Sequence, residues 1–200
     1  MDGEHWEVAT HGLAPAPDDL GEARRQVRLA CLVGADQEAL RHRLLAFCDD
    51  HPDALHRRCV AGHLTGSGVV VDAATGRTLL IHHAKLGRWL QPGGHADGDG
   101  NLGAVAWREA TEETGLTGLR LITPAIDLDV HAIPARGAEP EHLHLDLRFL
   151  VLAGPSTRPD PNHETLGARW LGADDPVVAT GGELARAVRR AVAVAATLER

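Results

Sequence analysis

The most informative segment of the chain is residues 94–116, which read Gly94-His-Ala-Asp-Gly-Asp-Gly-Asn-Leu-Gly-Ala-Val-Ala-Trp-Arg108-Glu109-Ala-Thr-Glu112-Glu113-Thr-Gly115-Leu116. Glu109, Glu112 and Glu113 are spaced so that they share one face of a helix. Neighbouring like charges on one helical turn are destabilising unless something positive holds them. A cluster of carboxylate oxygens is typical of a site for a hard divalent ion such as Mg²⁺ or Mn²⁺. The segment therefore predicts a metal site on a helix.

This segment resembles the signature of the Nudix hydrolases. In that signature a glycine, five residues, a glutamate and seven residues precede Arg-Glu-aliphatic-x-Glu-Glu-x-Gly-aliphatic. The positions of this chain that fall in register are Gly94, Arg108, Glu109, Ala110, Glu112, Glu113, Gly115 and Leu116. The family's first glutamate falls on Gly100, with Asp97 and Asp99 just before it. The alternative interpretation, a solvated acidic helix face, is disfavoured by the flanking glycines.

The resemblance implies roles for the residues of this segment. Glu112 and Glu113 are expected to bind the metal, and Glu109 either binds it or orients the attacking water. The carbonyl of Gly93 is a further candidate ligand in this family. Arg108 cannot be deprotonated, so we expect it to orient a carboxylate through paired hydrogen bonds. The catalytic candidates are thus Arg108 and the three glutamates.

The segments around the helix predict an α/β fold. Strands are expected over 64–71, 78–83, 119–133, 142–152 and 167–171, and residues 89–95 are expected to be a short strand that runs into a glycine-rich loop. The metal-site helix is expected over 102–114, and a closing helix is indicated by Leu184, Val188, Ala191, Val192 and Ala195. Gly115 is a natural residue to end the metal-site helix. Strands around one central helix fit a Nudix-type α/β/α sandwich with a mixed sheet, as the resemblance also implies.

The first 60 residues lie outside this pattern and predict a helical extension. Leu20, Ala23, Val27 and Cys31 repeat at helical spacing up to Gly34, a second helix follows from Asp36 to Cys48, and a third short helix is expected from His51 to Cys59. Residues 1–18 lack periodicity and are expected to be loose. The sequence thus divides into an extension, 1–60, and a Nudix domain, 61–200. The extension is expected to pack on the core or to mediate a homodimer.

Polar and apolar residues alternate along two of the predicted strands. His142, His144, Asp146 and Arg148 share one face of the later strand, and Asp127, Asp129 and His131 share one face of the earlier strand. A hairpin across 134–141 would join them into one patch. Two interpretations stay open: a cleft floor that selects substrate, with histidines on a base or sugar and Arg148 on a phosphate, or a solvent-facing edge hairpin.

Other polar residues lie beside the glycine-rich loop. His95 is expected to add to the polar patch, and Lys85 and Arg88 precede Trp89 on a turn. These two basic residues are either phosphate contacts or part of a solvated loop. Histidines at alternating strand positions also allow a second metal site. For any single histidine, a structural or surface role is more common than metal binding. Glu164 is a candidate for an additional acid.

Composition limits the classes of partner. The net charge of −8 argues against binding of a nucleic acid polymer, while a bound metal still permits an anionic small molecule. No apolar run is long enough for a membrane span, and the N-terminus lacks signal-peptide features, so a cytoplasmic protein is expected. Cys31, Cys48 and Cys59 are not spaced as a zinc motif and are expected to be buried apolar residues.

These observations predict a Mg²⁺- or Mn²⁺-dependent hydrolase for a small phosphoanhydride, a nucleoside diphosphate linked to another moiety. A nucleotide-binding regulatory domain that has lost turnover is the alternative, since Gly100 replaces a glutamate. Isomerase chemistry on a diphosphate would require a cysteine near the site, and every cysteine precedes the core.

Overall fold

The computed structural model of the chain describes residues 5–10, 13–84, 86–155, 157–160, 165–179 and 182–198. Its helices are α1 Leu20–Leu29, α2 Ala35–Asp50, α3 Leu102–Thr114, α4 Pro176–Ala179 and α5 Gly182–Leu198. Its strands are β1 Glu7–Ala9, β2 Gly62–Asp72, β3 Arg77–His83, β4 Arg88–Leu90, β5 Gly93–His95, β6 Arg120–Ile133, β7 His142–Ala153 and β8 Thr165–Leu171. Within this part of the chain, no helix combines the length and apolar character that crossing a membrane requires.

The eight strands form one mixed sheet in the order β1-β6-β7-β2-β3-β4, with β5 paired to β2 and β8 paired to β3. β2 and β7 run parallel, while the other pairs are antiparallel. The predicted hairpin is present as β6 and β7. β2 pairs with β7 along almost the whole of that strand, whereas β1 pairs with β6 only at residues 121–123. Asp127, Asp129 and Arg148 are buried, so most of the polar face is not the solvent-facing surface that the edge-hairpin interpretation requires.

Helices cover both faces of the sheet, which confirms the predicted sandwich. α3 lies close to β2 because glycines line the contact: a Cβ atom at Gly66 would be only 2.5 Å from the carbonyl oxygen of Leu102. On the opposite face, the apolar stripe of α5, including Val188 and Ala191, packs on Val69 and Val71 at the far end of β2. The near end of that second face carries the polar residues described below.

The N-terminal extension differs from the prediction in three places. Residues 51–60 form turns and not a third helix, because the carbonyl of Ala54 accepts from the N–H of Leu64 and that of Leu55 from the N–H of Gly98. α1 ends at Leu29 and not at Gly34, which instead precedes α2 with a φ of 97°. The first 18 residues are not simply loose, since 7–9 pair with β6.

None of the three cysteines forms a disulfide bond, and the predicted burial holds for two of them. Cys48 and Cys59 are buried and Cys31 is half-buried. Burial raises the pKa of Cys48 to about 11, so its thiol stays protonated at neutral pH.

Candidate active site

The glutamates lie on a helix whose two ends are fixed by local contacts. At the N-terminus of α3, the side chain of Asn101 accepts a hydrogen bond from the N–H of Ala104, at 3.2 Å. At the C-terminus, Gly115 adopts a left-handed conformation with a φ of 67°. Both caps lie inside the segment that carries the signature, so the helix bounds agree with the predicted 102–114.

Two of the three carboxylates turn toward the backbone of β5. The N–H of Gly93 donates to Oε2 of Glu113 at 3.0 Å. A Cβ atom at Gly94 would lie 2.5 Å from the carboxyl carbon of Glu109. Glu113 is buried, with 6% of its surface exposed, whereas Glu112 is exposed on the same helical turn. The helix thus presents one open carboxylate beside two that are held against the strand.

Arg108 contacts the cluster as expected, but through a single hydrogen bond. Its Nη2 donates to Oε1 of Glu109 at 3.0 Å, rather than through a bidentate pair. The donors gathered here are carboxylate oxygens next to a backbone that carries no side chain at Gly93 and Gly94. This donor chemistry fits a hard divalent cation and not a soft one.

The N-terminal segment occupies the space beside Gly100, where the family signature has a glutamate. The N–H of Gly100 donates to the carbonyl of Ala16 at 2.8 Å, and a Cβ atom at Gly100 would overlap the carbonyl oxygen of Asp19. The two neighbouring acids have other contacts. Asp97 forms a bidentate pair with Arg57 at 2.7 Å, and Asp99 accepts from the N–H groups of Ala16 and Asn101.

The polar strand face centres on a buried arginine. Arg148 is only 4% exposed, and its guanidinium donates to Asp146 at 3.1 Å, Asp127 at 3.2 Å and Asp129 at 2.8 Å. Arg186 of α5 adds a second cation, 2.7 Å from Asp127. Burial raises the pKa of Asp127, an effect that the arginines oppose. In this structure Arg148 joins the strands, and its predicted contact with a phosphate stays a prediction.

Five histidines lie next to this network on the same face: His63, His95, His131, His142 and His144. The ring of His63 is 4.9 Å from each of the rings of His95, His142 and His144. Burial and the neighbouring imidazoles lower the pKa of His144 to about 2, and burial and Arg57 lower that of His95 to about 4. The rings of His144 and His95 are therefore uncharged at neutral pH. We call the five residues the histidine cluster.

His63 is a member that sequence reasoning did not single out as a site residue. Its place follows from the parallel register of β2 and β7, which sets His63 opposite His144. The alternation of His63, Thr65 and Ser67 was the available signal. The two hydroxyls face the same network and donate to Asp146 at 2.8 and 2.9 Å.

The strand β5 connects the glutamates with the histidine cluster. Gly93 and Gly94 contact the carboxylates, and His95 contacts His63 and His144. Arg88 is exposed on the outer strand β4, and its role stays a prediction. The predictions for Lys85 and Glu164 fall outside the described residues.

Fold and site together define a class, the α/β/α hydrolases with an Arg-Glu-x-x-Glu-Glu helix. A family model, the NUDIX domain, matches residues 62–192, so the chain belongs to the NUDIX domain family. It is a Nudix-type pyrophosphohydrolase, an enzyme class that generally requires divalent metal cations. No curated protein matches the chain by sequence.

Solved structures with a similar fold include an Ap4A hydrolase from C. elegans, in a binary complex. It is 20% identical, with a TM-score of 0.54, and the match covers 67% of this chain and 98% of that chain. The dihydroneopterin triphosphate pyrophosphohydrolase of E. coli is 18% identical, with a TM-score of 0.56 and coverage of 66% and 95%. At these identities the likeness establishes the fold.

Proposed function

We propose that the chain is a Mg²⁺- or Mn²⁺-dependent hydrolase of a phosphoanhydride bond in a nucleoside diphosphate linked to another moiety. One observation carries this proposal. The three glutamates share one face of α3, and two of them are held against the side-chain-free backbone of Gly93 and Gly94. That arrangement brings carboxylates and an approachable backbone to one place, as a metal-diphosphate complex needs.

The residues that would hold the ion are Glu109, Glu112 and Glu113, with the carbonyl of Gly93. When bound, a divalent ion neutralises phosphate charge and lowers the pKa of a coordinated water. Glu112 is exposed, so its carboxylate would be accessible to an ion from the solvent. Glu113 is kept in place by the N–H of Gly93.

Glu109 is the residue that we expect to orient the attacking water. Arg108 fixes one of its oxygens at 3.0 Å, which limits the directions in which the other oxygen can point. A carboxylate so placed accepts a proton as water attacks the phosphorus atom, and the leaving phosphate departs with the electrons of the broken P–O bond. Holding the carboxylate rigidly supplies part of the rate enhancement.

The histidine cluster is the proposed region for selecting the group linked to the diphosphate. His131 is half-exposed, and imidazole rings offer both stacking surfaces and hydrogen bonds to a base or sugar. Lys85 and Arg88 are proposed phosphate contacts. The names of the two similar structures, an Ap4A hydrolase and a dihydroneopterin triphosphate pyrophosphohydrolase, support hydrolysis of a phosphoanhydride bond.

The proposal includes the organisation of the chain. Residues 1–60 would form an extension on the Nudix domain, 61–200, and α1 and α2 would provide the surface of a homodimer. Because the net charge is −8, the partner would be a small molecule and not a nucleic acid polymer. The cytoplasm, where Mg²⁺ and nucleotides are plentiful, is the proposed setting.

A second candidate function is a nucleotide-binding regulatory domain without turnover. The observation that favours it is the replacement of the family's glutamate by Gly100, whose surroundings are filled by Ala16 and Asp19. A site with fewer carboxylates would retain nucleotide affinity more easily than catalysis.

A substrate screen separates the two candidates. Purified protein is incubated with Mg²⁺ or Mn²⁺ and a panel of ADP-ribose, nucleotide sugars, dinucleoside polyphosphates, NADH, CoA and nucleoside triphosphates, and the products are resolved by chromatography. Hydrolysis that is lost when a chelator is added would support the metal-dependent hydrolase. The identity of the two products would then show which phosphoanhydride bond is cleaved. Nucleotide binding by calorimetry with no product from any panel member would favour the regulatory domain.

A further inference from the structure

We propose that His63, His95 and His144 form a second metal site, distinct in chemistry from the glutamate helix, for Zn²⁺ or a related transition ion. Among the described residues, one ring nitrogen from each of these three side chains lies within 4.8 Å of those of the other two. The proposal does not depend on the hydrolase activity, since it concerns other side chains and another class of ion.

The nitrogen atoms are close to the spacing that one ion imposes. Nε2 of His95 is 3.2 Å from Nε2 of His144. Zinc–nitrogen bonds of about 2.0–2.1 Å in a tetrahedron place two ligand nitrogens about 3.3 Å apart. The distance between His95 and His144 therefore already matches that of two ligands of one ion. The distances from His63 to the other two rings would shorten by rotation of the side chains, while the strands stay fixed.

The three ligands lie on adjacent strands. His63 and His144 are opposite each other in the parallel pair β2 and β7, and His95 on β5 is opposite Thr65, the next residue on the same face of β2. A site on rigid strands is more precise than one on loops. An ion bound here would tie β5, whose Gly93 and Gly94 contact the glutamates, to the centre of the sheet.

The strongest sign of a missing partner is the ring of His63. It is only 2% exposed, and neither of its nitrogens forms a hydrogen bond of normal geometry among the described residues, although the backbone of Cys59 lies nearby. Buried polar atoms are normally satisfied, and an exception calls for a partner such as an ion. Coordination of one nitrogen of His63 by an ion would supply it.

A fourth histidine, His142, also has a buried ring nitrogen without a hydrogen-bond partner among the described residues. Nδ1 of His142 lies 2.9 Å from the carbonyl of Pro140, which can only accept, so this nitrogen carries the proton and Nε2 presents a lone pair. That Nε2 is buried and has no hydrogen-bond partner in the described structure, and the carboxylate of Glu139 lies 3.8 Å from it. A histidine whose second nitrogen donates to a carbonyl is the usual state of a metal ligand. The nitrogens of His142 lie outside the group of three, so a water molecule would complete the shell, or His142 after a rotation of its side chain.

The donor set selects the class of ion. Imidazole nitrogens without carboxylates favour Zn²⁺, Cu²⁺, Ni²⁺ or Co²⁺, whereas Mg²⁺ prefers the oxygens of the glutamate helix. We therefore expect Zn²⁺ to bind at His63, His95 and His144 even when millimolar Mg²⁺ is present.

Zinc binding to chelator-treated protein in excess Mg²⁺ tests the proposal. We expect one tightly bound equivalent and a higher melting temperature. His63→Gln and His144→Gln should weaken binding by about 100-fold or more. Glu112→Gln/Glu113→Gln and His51→Gln should leave it unchanged. His51 is the control because it forms a separate donor group with Asp53 and Cys59. Zinc lost in a control variant and kept in His144→Gln would overturn the assignment.

A measurement on the unaltered protein covers the case in which a histidine variant does not fold. Histidine ring nitrogens are followed by ¹⁵N NMR while Zn²⁺ is added to one equivalent, and Co²⁺ is added in parallel for its visible absorption. Selective shifts of His63, His95 and His144, with the bands of four-coordinate Co²⁺, would support the site. Unchanged ring signals for these three residues would overturn it.

Discussion

Gly94 and Glu109 meet so closely that any side chain at residue 94 would displace the carboxylate. A Cβ atom there would lie 2.5 Å from the carboxyl carbon and 2.7 Å from Oε1 of Glu109. The same short strand donates the N–H of Gly93 to Glu113. The spacing of the glycine pair and the glutamates in the sequence thus corresponds to a direct contact between strand and helix.

Replacing that glycine should reduce activity more than stability. In Gly94→Ala the methyl group pushes the Glu109 carboxylate away, and a displacement of about 1 Å at such a group costs on the order of 10²-fold in kcat. The measurement is steady-state hydrolysis together with thermal unfolding. Gly172→Ala is the matched control, because its Cβ would meet open space. Full activity in Gly94→Ala would contradict the contact.

The Arg148 network is expected to stabilise the fold. Arg148→Met leaves Asp127, Asp129 and Asp146 buried without their central cation, which should lower the free energy of unfolding by about 3–5 kcal/mol. Urea denaturation measures the change, and the exposed Arg189→Met serves as control. A variant as stable as the parent but defective in substrate binding would instead favour the predicted phosphate contact.

Restoring the family's glutamate at residue 100 should harm this chain. Gly100→Glu would force a side chain into the carbonyl of Asp19 and separate the N-terminal segment from the loop that it covers. Overpacking of this kind costs about 1–3 kcal/mol, so the melting temperature should fall. Gly172→Glu, at an open position, should not lower it. A Gly100→Glu variant that is stable and more active than the parent would contradict this prediction. It would show that the parent site lacks a carboxylate that catalysis uses.

The N-terminal extension should also stabilise the start of α3. Gln26 on α1 donates to the side chain of Asn101 at 2.8 Å and accepts from the N–H of Gly103 at 3.1 Å. Gln26→Ala removes both contacts and should destabilise the protein by about 1–2 kcal/mol. Amide hydrogen exchange should show faster opening of Gly103 and Ala104 than in the control Arg28→Ala, which changes an exposed residue of the same helix. Unchanged exchange would argue against this coupling.

The parts of the fold that sequence predicted are those with local signals. The ends of α3 follow from residues within or next to the helix, such as Gly115. Alternation along β6 and β7 correctly placed the polar residues on one face, because the side-chain period of a strand depends on nothing distant.

The parts that sequence did not predict depend on long-range pairing. The parallel register of β2 and β7 brings His63 to His144, and no local pattern encodes a register between segments 81 residues apart. The same holds for β1, a three-residue strand that forms only because β6 offers it an edge. Burial of Arg148 among carboxylates also depends on which strands are neighbours and on where α5 packs.

The most direct test of the proposed function is kcat for hydrolysis of the best panel substrate, measured on chelated protein before and after Mg²⁺ is restored. We expect the parent to be inactive until Mg²⁺ is added, and Glu112→Gln/Glu113→Gln to stay lower by about 10³-fold, equal to about 4 kcal/mol of transition-state stabilisation. Glu38→Gln, an exposed position on α2, should behave like the parent. Equal kcat in the parent and the double variant would contradict a metal site at the glutamate helix.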